Sequence, residues 1–349
     1  MMPIPFSRYV TLFIVAPFVL SFDIEGPFNI NTPVHESLTL SSLMYSTFAA
    51  PTTTTVDDAP LDIKEFFRGD IWNDDPECQL FSDEDDDNWD FSTGLTWYYK
   101  FTSSKNGAYD EDNLIGRSHS WDLQFLHSMG SYLGEPPVET RAKIMLWLEI
   151  AYRLSTNQGL TGSTLIRDVS TVSVVNATTS FRLSNFFTPT STPKNSDTLT
   201  TLFACDTSFT GLQIARRAIG SILHIIQDSY ARGHTRRILI NPGDLVSGSV
   251  LEFQPGKYAQ LRKVQNFHSY KGQGDAHAEA DHWSDNWPDM DPKSPASFNV
   301  LWGARMAQEK GVSMLNFWRE GRAWADVKTW LEGEVFSIAE GATPSDNSV

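Results

Sequence analysis

TGLQIARRAIGSILHIIQDSYARGH, residues 210–234, decides how the chain is read. Apolar residues recur at helical spacing through Ile219, Ile222, Leu223 and Ile226, which predicts a strongly amphipathic core helix over 210–232. His224 and Asp228 are four apart, so both side chains leave one face of that helix a turn apart and can reach a common cation. Gly233 is a natural terminator, and His234 follows it, completing H-x-x-x-D-x-x-x-x-x-H. A second imidazole–carboxylate pair, His277-x-x-x-Asp281, suits an adjacent antiparallel helix and suggests a site in the core of a bundle. An ionised Asp among such apolar neighbours costs several kcal/mol, roughly, unless a cation or a donor compensates it. Two explanations stand at this point: a bound metal, or core histidines bonded to their own carboxylates.

Outward from this helix, residues 137–154 repeat the pattern behind a proline and are expected to pack on it. Further helices are predicted over 35–49, 60–67, 300–319 and 324–339. Between the two strong helices, residues 155–206 are rich in Ser and Thr, with an alternating fragment at Ser173-Val174-Val175, and read as an insertion of hairpin character. A β-like stretch is expected over 248–264 around the Pro255-Gly256 turn, and the last ten residues read as a frayed end. The acidic run 83–90 reads as solvated surface. The expected fold is mainly α, a helical bundle with β-hairpin or loop insertions and no solenoid repeat.

Among 349 residues, 40% are apolar, which allows a sizeable core in one domain. The net charge of −16 argues against a broad electrostatic footprint for duplex nucleic acid or anionic membrane, leaving a local basic groove open. Residues 1–21 carry Arg8 and then an uncharged run too short to span a bilayer, and read as a signal peptide cut between Ser21 and Phe22. The product is therefore expected to be secreted and extracellular. Cys78 and Cys205 are the only cysteines, and either pair in an oxidising compartment or stay as buried thiols. Asn176-Ala177-Thr178 is a glycosylation sequon where the source glycosylates.

His224, Asp228, His234, His277 and Asp281 together resemble the core motif of the zinc-dependent phospholipase C and S1/P1 nuclease superfamily, secreted trinuclear zinc phosphodiesterases of mostly α fold. Pro33-Val34-His35-Glu36-Ser37-Leu38 resembles that family's first helix, and Phe22 precedes His35 by thirteen positions, the phospholipase spacing from the mature N-terminus. Gly69-Asp70-Ile71-Trp72-Asn73-Asp74 and Ser118-His119-Ser120-Trp121-Asp122 resemble the two remaining ligand motifs, with Asp75 a rival to Asp74. The chain departs from relatives that read G-D-x-x-Q-P-x-H, having Gln227-Asp228-Ser229-Tyr230-Ala231-Arg232-Gly233-His234 instead. The phosphodiester class therefore stays open.

The resemblance implies a phospholipase C/P1 nuclease-like helical bundle in one hydrolase domain, residues 22–349, holding three zinc ions. Asp74, His119, His224 and Asp228 would hold one. The amine and carbonyl of Phe22, with His35 and a shared Asp228, would hold a second, and His234, His277 and Asp281 the third. Asp74 would also orient or deprotonate the attacking water. The remaining histidines, His127, His268 and His282, read as structural or surface groups, His282 beside the third zinc. Trp72, Trp121, Trp283 and Trp287 read mostly as core with some scope as a stacking wall, and Arg232, Arg236 and Arg237 as possible phosphate contacts. The implied function is hydrolysis of a phospholipid headgroup or other phosphodiester, with transient membrane-surface contact and no stable protein partner. Two other readings are a single-strand nuclease or nucleotidase acting on nucleic acid, and a non-catalytic, metal-stabilised interaction protein.

Overall fold

Every residue of α7 (Ile214–Asp228) from Arg217 onward is buried, which makes it the central element of the computed structural model, where residues 34–80, 91–205, 211–270 and 290–348 are described. Around it pack α1 (Val34–Tyr45), α2 (Leu61–Ile71), α5 (Pro137–Ser155) and α8 (Ala304–Arg319). Among the described residues the other α-helices are α3 (Phe91–Asn106), α4 (Leu114–Ser120), α6 (Leu199–Ala204) and α9 (Trp324–Trp330), the last running into a π-helical turn, Leu331–Val335. The fold is mainly α, 47% helical, with two small two-stranded sheets among the described residues.

The crossing of α2 and α7 is a backbone-to-backbone contact, because each helix carries glycine where the other passes. A Cβ on Gly220 would lie 2.2 Å from the Phe66 carbonyl oxygen and 2.7 Å from the Asp70 nitrogen; one on Gly69 would lie 2.1 Å from the Arg217 carbonyl oxygen. This approach carries the C-terminal half of α2, with Asp70 and the following Asp74, against the His224 face. Gly220→Ala is accordingly expected to lose at least the roughly 1–3 kcal/mol typical of overpacked cores. Chemical denaturation checks this, and wild-type stability would refute the close crossing.

Near the N-terminus of α7, Arg217 is wholly buried and donates through Nε to Glu65 Oε2 (3.0 Å) and through a terminal nitrogen to Oε1 (3.1 Å). Glu65 also accepts from the backbone N–H of Gln213 at 2.8 Å, placing a carboxylate at the positive end of the helix. On the other side, Trp72 stacks on Trp147 with centroids 5.2 Å apart and donates to the Leu202 carbonyl, so it is core.

Residues 155–206 contain the expected hairpin as two short antiparallel strands, β1 (Ser173–Val174) and β2 (Ser180–Phe181), with Asn176 exposed in the turn. Cys78 and Cys205 form a disulfide, joining the segment after α2 to the end of α6. The second expected β stretch is displaced: β4 (Leu261–Phe267) pairs antiparallel with β3 (Thr235–Leu239), and 248–260 is turn and loop apart from isolated bridges. The α7 helix stops at Asp228, short of the predicted 232, because residues 229–234 turn to start β3.

The chain end corrects another expectation. Ser345 donates to the Tyr132 carbonyl and accepts from the Glu135 N–H, while Asp346 accepts from the imidazole of His268 at 2.7 Å. Residues 343–346 are thus fastened rather than frayed. Among the described residues no helix is long and apolar enough to cross a membrane. Residues 1–21, the acidic run 83–90, Phe22, His277, Asp281, His282, Trp283 and Trp287 lie outside the described residues.

Candidate metal centre

Asp228 is the hub. It ends α7, fully buried, and its Oδ2 lies 2.9 Å from His224 Nε2, 2.9 Å from His127 Nδ1 and 3.6 Å from His234 Nδ1, while Oδ1 lies 3.4 Å from His35 Nε2. Each imidazole comes from a different place. His35 opens α1, and its ring stacks on that of His224 with centroids 4.1 Å apart. His127 ends a 3-10 turn, Gln124–His127, held to α7 by Ser128, which donates to the Ile225 carbonyl at 2.7 Å. His234 follows the turn after α7, and its backbone carbonyl accepts from the His268 N–H, pinning it to β4.

Asp74 lies just beyond α2, in a turn closed by its own N–H to the Ile71 carbonyl. Its Oδ1 is 3.4 Å from His119 Nε2 and 3.7 Å from His127 Nδ1, and its Oδ2 is 3.9 Å from His224 Nε2. The Trp97 indole donates to the Asp74 carbonyl at 3.0 Å, and Trp97 and Phe101 meet the His119 ring edge-on, so α3 braces this corner. Asp75, the rival, points away and accepts from the Leu80 N–H at 2.7 Å. Burial holds its carboxyl well above the usual range, so it serves the loop and not the cluster.

Carbonyl partners fix two of the rings. A carbonyl oxygen only accepts, so His119 donates from Nδ1 to Ile115 (2.8 Å) and His234 from Nδ1 to His127 (2.5 Å). The lone pair of either ring, where it has one, is then on Nε2.

The charges are strongly coupled. Burial alone would raise Asp74, but the imidazoles of His224, His119, His127 and His35 outweigh it and hold its carboxyl at about 2. Asp228 is likewise well below the ordinary carboxylate range, with burial overcome by His234, His224 and His127. His234 is pushed down to about 4, chiefly by burial, and burial also lowers His127. For His224 the carboxylates of Asp228 and Asp74 overcome burial and raise it well above 6.5.

The donor set fits divalent cations. Asp70 Oδ1, Asp74 Oδ2, His119 Nε2, His127 Nε2 and His224 Nδ1 are buried and make no hydrogen bond to any described residue, an unusual concentration of unsatisfied polar atoms for a core. Two triads bring ligand atoms within 4.8 Å of one another: His35, His224 and Asp228; and Asp74, His119 and His127. Imidazole with carboxylate suits zinc and accommodates manganese or iron.

Six of the nine ligands expected from the sequence, His35, Asp74, His119, His224, Asp228 and His234, therefore lie in one buried cluster. The grouping differs from the expected one, since His224 sits with His35 and Asp228 while His127 joins Asp74 and His119. His127, read as structural or surface, is a member. Asp70 was also missed as a buried carboxylate of the cluster, although it stands four residues before Asp74. His268 does pack structurally, on Asp346. Arg237 is not a phosphate contact: its guanidinium lies 4.2 Å from the Tyr230 ring centroid and donates to the carbonyls of Ser229, Arg262 and Val335. No protein-family model, curated protein or solved structure matches the chain.

Proposed function

We propose that the chain is a secreted, zinc-dependent phosphodiester hydrolase of the phospholipase C kind, its mainly α fold being the helical bundle of the phospholipase C/P1 nuclease superfamily. The observation that carries this reading is the convergence of His35, Asp74, His119, His224, Asp228 and His234, from segments nearly 200 residues apart, on one buried cluster where Asp74, His119, His127 and His224 hold unsatisfied polar atoms. A purely structural fold would satisfy those atoms by hydrogen bonding. The disulfide supports an oxidising compartment, as secretion requires.

Bound divalent ions supply Lewis-acid polarisation of the phosphate oxygens and acidification of a water toward neutral pH. The residues do the rest. Asp228, shared among four imidazoles, sets the spacing of the cluster. Asp74, ionised across the physiological range, offers Oδ2 as an acceptor that orients the attacking water. A carboxyl held at about 2 is a weak base, so orientation is its contribution. Phe22, His277 and Asp281 complete the proposed ligand set for three ions.

Parallel assays on a phosphatidylcholine analogue and on single-stranded DNA, with and without chelator, test the reading. Chelator-sensitive release of the phosphorylated headgroup is the expected result. Turnover of the DNA alone would move the assignment to a nuclease, and turnover of neither by fully metal-loaded protein would favour the non-catalytic reading.

A further inference from the structure

Behind the cluster, a line of four buried side chains joins three helices. His35 Nδ1 meets Gln227 Oε1; Gln227 Nε2 donates to Thr39 Oγ1 at 2.8 Å; Thr39 Oγ1 donates to Asp70 Oδ2 at 2.6 Å. Gln227 is 1% exposed and the other three are not exposed at all. Thr39 lies one turn after His35 on α1, Gln227 is next to Asp228 on α7, and Asp70 is on α2.

The line runs in one direction only. A carboxylate accepts and a threonine hydroxyl has a single proton, so the Thr39 proton goes to Asp70 and its oxygen must receive from the Gln227 amide nitrogen. That fixes the amide orientation and turns its oxygen toward His35. The His35 nitrogen facing it must then carry the proton. Flipping the amide would require Thr39 to donate to Gln227, leaving its 2.6 Å contact with Asp70 without a proton.

We infer that Gln227, Thr39 and Asp70 are positioning residues that lock His35 in the Nδ1–H tautomer, so that Nε2 presents its lone pair to the Asp228 side. Asp70 anchors the relay through its Oδ2. The consequence for metal rests on the hydrolase reading above, whereas the tautomer is readable without any metal. Outer partners that orient a ligating histidine are typically worth 10–100-fold in metal affinity.

The test uses Gln227→Leu, which removes both ends of the amide, and Gln227→Glu, which keeps an acceptor facing His35. Thr39→Val cuts the relay in the middle and serves if the leucine variant does not fold. The readouts are long-range proton–nitrogen NMR correlations of the His35 ring in apo-protein at alkaline pH, and zinc affinity by chelator competition. Wild type and Gln227→Glu are expected to show Nδ1–H. The leucine and valine variants are expected to lose that preference and to bind zinc about 10–100-fold more weakly. An unchanged tautomer in both Gln227→Leu and Thr39→Val overturns the relay, whereas wild-type zinc affinity in both overturns its consequence for metal binding. A tautomer switch in a protein whose wild type takes up no zinc would instead sustain the relay and sink the metal reading.

Discussion

Asp228→Asn is expected to empty two cation positions together. The amide preserves the shape of the side chain but removes its charge and replaces one acceptor oxygen by a donor. Four imidazoles, those of His35, His127, His224 and His234, face that carboxylate at 2.9–3.6 Å. Two of them belong with Asp228 in one ligand triad, and His127 belongs to the other. The loss in affinity should exceed the roughly 10–100-fold that outer partners are worth, since the charge removed is that of a proposed ligand. Zinc per chain after dialysis, measured by mass spectrometry, checks it; full metal content in the variant would contradict the bridging role.

Glu65→Gln should have the largest effect on stability, about 3–5 kcal/mol, because it removes the carboxylate charge paired with the buried Arg217 guanidinium. Arg68, 2.9 Å from the same carboxylate, loses that ion pair too. The pH dependence has a definite sign. Burial raises the Glu65 pKa, but the Arg217 guanidinium outweighs it and holds the folded value below the ordinary 4.5. The contribution to stability is therefore complete above pH 4.5 and is lost as pH falls through the lower folded value. Denaturant unfolding of wild type should weaken across that interval, and the glutamine variant should lack this component. Equal stability of the two proteins at pH 7 would show that the pair is not the lock between α2 and α7.

The two halves of this molecule were legible to different degrees. Strong apolar periodicity marked α5 and α7, and the His224–Asp228 pair on α7 was visible because a helix converts sequence spacing into a shared face. Asp74, His119 and His35 followed from the family resemblance, since nothing local links residues brought together by helix packing. His127 escaped for a physical reason: it ends a 3-10 turn with no amphipathic period, and it is aimed by the Ser128 contact to α7. Asp70 was masked by its neighbour Asp74 in the turn beyond α2, as a D-x-x-x-D spacing is also what solvated surface shows.

Helices α3 and α4 were missed because their stability is tertiary. The α3 sequence FSTGLTWYYKFTSSKN is poor in strong helix formers, and it is held by Trp97 and Phe101 packed against the His119 corner. In α4 the signal was a single cap, Asn113, whose side chain accepts from the Gly116 N–H at 2.8 Å. The fastened chain end was equally invisible, since Ser345 and Asp346 find their partners more than 70 residues away.

Anomalous diffraction at the zinc edge, on crystals of protein purified without chelator, tests the central claim most directly. Peaks are expected within bonding distance of His35, His224 and Asp228, and of Asp74, His119 and His127. Zinc-replete crystals with no anomalous peak at either triad would contradict it.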